Sequence, residues 1–206
     1  MFFFYCSSIW ALNLMPKSRT GQMIHHQFYS ISYDKYYRQA EWVYYHLNPE
    51  LIQGPAQRKN NFRPDPNLSV EPVLANDFSG SGYDRGHLVP AGDMKYSDQS
   101  MSETFFMSNM SPQVPKFNQG IWGRLENYVR SFVVKRNCDC IVISGPVLQP
   151  FLPVIKGKNI AIPEYYFKIV VDYESTPVQV KAYLMPNKES KDPVEFYQVS
   201  INYIEK

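Results

Sequence analysis

The sequence predicts an α+β domain with a mixed or antiparallel β-sheet core and helices, and three observations carry that prediction. Segments rich in β-branched and aromatic residues lie both before and after one central amphipathic stretch. The chain has 206 residues, enough to bury a core without disulfides and short for two domains. Hydrophobic residues make up 44% and charged residues 19%, which excludes a disordered chain. No apolar run approaches the roughly 18 residues of a membrane span. Lys and Arg number 21 against 19 Asp and Glu, so the net charge of +2 argues neither for nor against a polyanionic partner.

Taken in order, the first fourteen residues, MFFFYCSSIWALNL, resemble the apolar core of an export signal without the basic segment that should precede it. Residues 1–15 are expected to be a remnant of a signal or pro-segment, the alternative being a strand packed on the domain, and residues 16–206 form the single domain. Residues 21–47 alternate as one or two strands, with His25 and His26 in structural roles. Residues 48–67 combine Pro, Gly, Asn and Arg in a long loop, functional or mobile. Residues 82–89 and 103–110 read as two short strands, the second turning through SPQVP into a helix over 118–136. In that helix Ile121, Leu125, Tyr128 and Phe132 recur at spacings of three and four. After it, CIVISGPVL, KNIAIPEYYFKIVVDY, VQVKAYLMP and EFYQVSINYI read as strands. Of three cysteines, Cys6, Cys138 and Cys140, the last two share one strand face, but two thiols cannot complete a tetrahedral zinc site. Ordinary buried cysteines are expected there, with a strained disulfide as the alternative.

The chemistry concentrates in residues 83–130. On a strand, Arg85 and His87 share a face, while Gly86 leaves the opposite face open to close packing. An ordinary histidine, with a pKa near 6.5, is well matched to removing a proton near neutral pH, although a lone histidine more often serves a turn. On the helix, Asn118, Trp122, Glu126 and Arg130 follow at steps of four as a polar stripe. Asn118 offers a neutral hard oxygen suited to Mg²⁺, Glu126 a carboxylate for metal-bound water, and Arg130 a fork for Glu126 or a phosphate. An N-capping Asn beside a surface Glu–Arg pair is the bland alternative. Residues 104–136 carry Lys116, Arg124, Arg130, Lys135 and Arg136 against Glu126, an excess that reads as a phosphate-facing surface.

Asp84-Arg85-Gly86-His87, then Asn109-Met110-Ser111-Pro112-Gln113, Asn118-Gln119-Gly120-Ile121-Trp122 and Leu125-Glu126, in this order and spacing, resemble the endonuclease G-like DNA/RNA non-specific endonucleases of the ββα-metal (His-Me finger) superfamily. Looser similarity covers most of the chain from about residue 20. The resemblance implies an embedded ββα-metal motif and a catalytic set of His87, Arg85, Glu126, Asn109 and Arg130. His87 would be the general base and Asn118 the single protein ligand of Mg²⁺, with Mn²⁺ as a substitute. Glu126 would hold metal-bound water, and Arg85 and Arg130 would sit against the phosphate. Asn109 and Gln113 would support the site by hydrogen bonds, Gln113 and Arg58 counting as substrate-binding residues. Arg63 competes with Arg58 for its place, and Asp84 would tether its loop.

The implied reaction is hydrolysis of DNA and RNA to 5′-phosphate and 3′-hydroxyl ends, without base reading. A catalytically inactive nucleic-acid-binding homologue is the alternative, and a phosphoesterase of small substrates a third. A homodimer and a protein inhibitor are further partners the resemblance leaves open, with no membrane partner for the domain. The family usually continues beyond a final helix-like segment, so a shortened C-terminus is expected. A non-specific nuclease is hazardous in a nucleic-acid-bearing cytosol, so export, periplasmic or secreted, is expected ahead of an organelle.

Overall fold

The strand-forming segments build a seven-stranded antiparallel sheet in a computed structural model that describes residues 14–19 and 21–205. Its strands are β1 (Gln22–His25), β2 (Tyr29–Asp34), β3 (Gln39–Leu47), β6 (Cys140–Pro146), β7 (Tyr165–Asp172), β8 (Gln179–Pro186) and β9 (Gln198–Val199), neighbours in that order. Between β3 and β6 the chain leaves the sheet for a two-stranded hairpin, β4 (Asp84–His87) and β5 (Met110–Gln113), and then the long helix α3 (Gly123–Arg136). Short helices α1 (Pro49–Gln53), α2 (Asp98–Glu103) and α4 (Ile201–Ile204) complete the α+β architecture. The amino-terminal segment 1–13, including Cys6, lies outside the described residues.

Both faces of the sheet are covered, which explains why its central strands read as nearly unbroken apolar runs. Odd and even positions divide between two cores. Val142 and Tyr166 join Leu125, Val129 and Val133 of α3 in the main core. Ile141, Ile143, Ile169 and Val171 build a second core with Trp42, against which Leu14, Met15, Ile201 and Ile204 pack. Cys138 and Cys140 are free and buried, their sulfurs 3.7 Å apart.

The departures from the sequence reading are local. Residues 103–109 are not a strand. Ser97 accepts from the Ser100 amide while the Ser100 hydroxyl accepts from the Ser97 amide, and this reciprocal cap starts α2. A 3₁₀ turn, Met107–Asn109, follows before β5. The helix expected over 118–136 is in two parts: a π-helical turn, Phe117–Trp122, with Gly120 out of helical conformation, precedes α3. That extra width changes which side chains face inward. Ile121, Trp122, Leu125, Val129 and Val133 are buried, whereas Tyr128 and Phe132 are only partly so. The last expected strand is mostly a 3₁₀ turn, Val194–Tyr197, and α4, because Pro193 fixes an extended residue where the turn begins. In the loop region, Asn48 caps α1 by accepting from the Leu51 amide.

Candidate active site

The hairpin puts four residues of the DRGH segment in register with β5: Asp84 with Gln113, Arg85 with Pro112, Gly86 with Ser111 and His87 with Met110. Cross-strand partners share a face. Arg85 and His87 therefore lie on one side, Gly86 and Gln113 on the other. Gly86 is required for close packing, since a Cβ there would stand 2.1 Å from Cδ of Gln113.

On the His87 side, two phenylalanines and two arginines form an alternating stack. The imidazole meets Phe105 edge to face at 4.9 Å and Phe62 at 5.9 Å. Arg85 lies over Phe62 at 4.3 Å and Arg58 over Phe105 at 5.0 Å, so each cation is seated on a ring face that its charge favours. Burial, then the charges of Arg58 and Arg85, push His87 down to about 3. The ring is thus neutral near pH 7, and more strongly perturbed than the ordinary value assumed from sequence. Its Nε2 is enclosed without a partner among the described residues.

Asn109 is fully buried. Its buried amide accepts from the Val89 amide and donates to the carbonyls of Val89 and Thr104, clamping the chain that follows His87 to the turn before β5. Gln113, expected to touch substrate, is fully buried on the far face of the hairpin, with neither amide atom partnered among the described residues, and cannot meet a polymer there. Asn118, in the π-helical turn, donates from Nδ2 to Asp84 at 2.9 Å, and Gln119 donates to the same carboxylate oxygen. Asp84 thereby orients the Asn118 amide and leaves its Oδ1 without a protein partner among the described residues.

Glu126 stands on α3, one turn beyond Trp122. Burial pushes its carboxyl up to about 7, with Lys168 opposing and Asp93 adding to the rise. Arg130, expected at Glu126 or a phosphate, is committed elsewhere: Nη1 pairs with Asp93 at 2.6 Å and Nη2 donates to Asn127 at 2.7 Å. Asp93 also accepts from Tyr45 at 2.8 Å. The basic surface expected from residues 104–136 is largely spent in the same way. Lys116 pairs with Glu189 and Arg136 with Asp172, while Arg124 donates to the carbonyls of Ser190 and Asp192. Of the two loop arginines, Arg63 donates to the Asn61 and Ser102 carbonyls and stacks on Phe106, so only Arg58 joins the histidine.

Phe62, Phe105, Asp93 and Lys168 escaped the sequence reading. The one legible signal was Lys168, a cation inside the run YYFKIVVD at the inward parity of Tyr166 and Val170.

Among the described residues no cluster of three or more His, Cys, Asp or Glu could cage a metal. A hard cation held by one protein oxygen and otherwise by water and substrate is the kind that suits such a donor set, and Asn118 Oδ1 is one oxygen of that type.

The family model for DNA/RNA non-specific endonucleases matches residues 12–206. Mitochondrial nuclease EXOG of Mus musculus is 36% identical over 196 residues, 86% of this chain and 53% of that protein. Mitochondrial endonuclease G of Homo sapiens is 33% identical over 201 residues, 90% of this chain and 67% of that protein. The chain thus spans about half the length of the EXOG relatives it matches. A solved EndoG in complex with EndoGI, described as the mechanism of EndoG inhibition, superposes with a TM-score of 0.81 at 30% identity. It covers 92% of this chain and 84% of that one. These relatives overturn the expectation of export, since EXOG and endonuclease G are named as mitochondrial and point to an organelle. The chain belongs to the DNA/RNA non-specific endonuclease family.

Proposed function

We propose that this protein is a metal-dependent nuclease that hydrolyses phosphodiester bonds of both DNA and RNA, leaving 5′-phosphate and 3′-hydroxyl ends. The observation that carries the reading is the stack in which a neutral, buried His87 lies between two ring-seated arginines, on the strand whose Asp84 orients Asn118. His87 takes a proton from a water whose oxygen forms the new bond to phosphorus, while the bond from phosphorus to the 3′ oxygen breaks and that oxygen is protonated from solvent. A bound phosphodiester brings negative charge that opposes Arg58 and Arg85, so the imidazole becomes a stronger base once substrate is seated. Arg58 and Arg85 supply fixed positive charge to the phosphate oxygens as charge builds on them. Arg130 is a positioning residue that joins α3 to Asp93.

Asn118 would hold a divalent ion, Mg²⁺ with Mn²⁺ as a substitute, and Glu126 would accept hydrogen bonds from water in the site. Such an ion, when bound, supplies Lewis-acid stabilisation of charge on phosphate oxygens. Among the residues placed at the site, none reads a base edge, which agrees with substrate held through its backbone. An organelle that carries nucleic acid is the proposed location. Because the related EndoG is described in an inhibitory complex with EndoGI, a protein that covers this stack is the partner to seek.

The test is digestion of supercoiled plasmid and of mixed-sequence RNA with Mg²⁺, with and without excess EDTA. Both polymers should be cut, and chelation should stop cutting. Full activity in EDTA, or indifference to one of the two sugars, contradicts the reading.

A further inference from the structure

Lys168 sits in the middle of β7, on the face that packs under α3, and is only 1% exposed. Its Nζ has no hydrogen-bond partner among the described residues, and it lies 4.9 Å over the ring of Trp122, itself fully buried. A buried ammonium without an oxygen partner is costly and needs a reason. Trp122 leads one helical turn onward to Glu126 on the same side of the helix. We propose that Lys168 is a positioning residue for the reaction, a buried cation seated on Trp122 that holds Glu126 as a carboxylate facing the site.

The surroundings of Glu126 support this. Lys168 comes from β7, Asp93 from the turn after β4, Tyr45 from β3, Arg58 from the loop and Arg130 from α3 itself. Arg130 is already neutralised by Asp93 at 2.6 Å, and Arg58 is stacked on Phe105, which leaves Lys168 as the cation with no other hydrogen-bond obligation. The dependence is mutual: burial pushes Lys168 down from its ordinary value, and Glu126 and Asp93 oppose that fall. Neutralising either member should make the other easier to neutralise.

The inference rests on the proposed reaction only for its rate readout, so two measurements are paired. In the first, the ¹³C signal of the Glu126 carboxyl, assigned by its loss in Glu126→Gln, is titrated in the metal-free protein. In Lys168→Met and Lys168→Gln its midpoint should rise by about one pH unit or more. In the second, the acid limb of kcat for plasmid cleavage with Mg²⁺ should move upward in the same variants, with KM for DNA unchanged. Thermal unfolding of both variants is read in parallel to show that they are folded. A Glu126 midpoint at the wild-type value in a folded variant overturns the proposal. Failure of both variants to fold overturns it too, since Lys168 would then be structural. A wild-type protein that cuts nothing defeats the proposed reaction instead, and the carboxyl titration still decides the role of Lys168.

Discussion

Replacing Gly86 by Ala tests whether the hairpin's packing is what aims the histidine. The added Cβ would lie 2.1 Å from Cδ, 2.2 Å from Oε1 and 2.4 Å from Cγ of Gln113, all well inside contact distance. Gln113 is fully buried, so it has no open space to swing into. Overpacking of this kind costs about 1–3 kcal/mol, which in a domain of this size lowers Tm by roughly 2–12 °C. The strain falls on β4 itself, between Arg85 and His87. A shift of about 1 Å there is enough to reduce turnover ~100-fold. The remedy is as specific as the fault, because all three clashing atoms are removed by Gln113→Ala. The amide of Gln113 has no partner to lose. The double variant should therefore recover both Tm and rate, with a coupling of at least ~1 kcal/mol in a double-mutant cycle. Calorimetry and single-turnover cleavage of the four proteins provide the assay. Wild-type Tm and rate in Gly86→Ala, or additive effects in the double variant, would refute the reasoning.

Three further outcomes follow from the site and its supports. In the free protein His87 is neutral down to about pH 3 and Glu126 is raised to about 7, so the acid limb of kcat/KM between pH 7 and 5 should belong to Glu126. A bound cation moves that limb downward, and a rate profile of Glu126→Gln should lack it. At Asp65, burial pushes the carboxyl up, but hydrogen bonds from His26, Ser108 and the Asn67 amide outweigh it and hold the group below its ordinary value. Its stabilisation is therefore complete above the unfolded value of about 3.9 and lost as pH falls through the lower folded value. Asp65→Asn should cost ~1–3 kcal/mol at pH 7 and blunt that acid sensitivity in denaturant titrations. Asn118→Ala should raise the Mg²⁺ needed for half-maximal cleavage by roughly tenfold or more, and an unchanged metal titration would remove it as the ligand.

The sheet was legible because burial on both faces leaves a sequence trace: CIVIS and FKIVVD are apolar at odd and even positions alike, and only strands sandwiched between two cores need that. The hairpin face was legible for a simpler reason. Arg85 and His87 are two apart, and strand geometry allows them only one shared side. The helix was misread at its start because a periodic count assumes an unbroken helix, and Gly120 leaves helical geometry inside the π-turn that carries Asn118. Trp122, placed in a polar stripe, went to the core instead. Local charge misled most. The acids that pair with Lys116, Arg130 and Arg136 are distant in sequence: Glu189, Asp93 and Asp172 reach them across the fold. The two cations left beside the histidine, Arg58 and Arg85, are held by phenylalanine rings, and no pattern of charge alone could have revealed that.

The central claim is that His87 removes the proton from the attacking water, and the most direct measurement is single-turnover cleavage of DNA by His87→Ala at saturating Mg²⁺, with DNA affinity measured in parallel. The account predicts a rate lower by roughly 10²–10⁴-fold with affinity little changed, since Arg58 and Arg85 remain on their rings. Cleavage near the wild-type rate would contradict it.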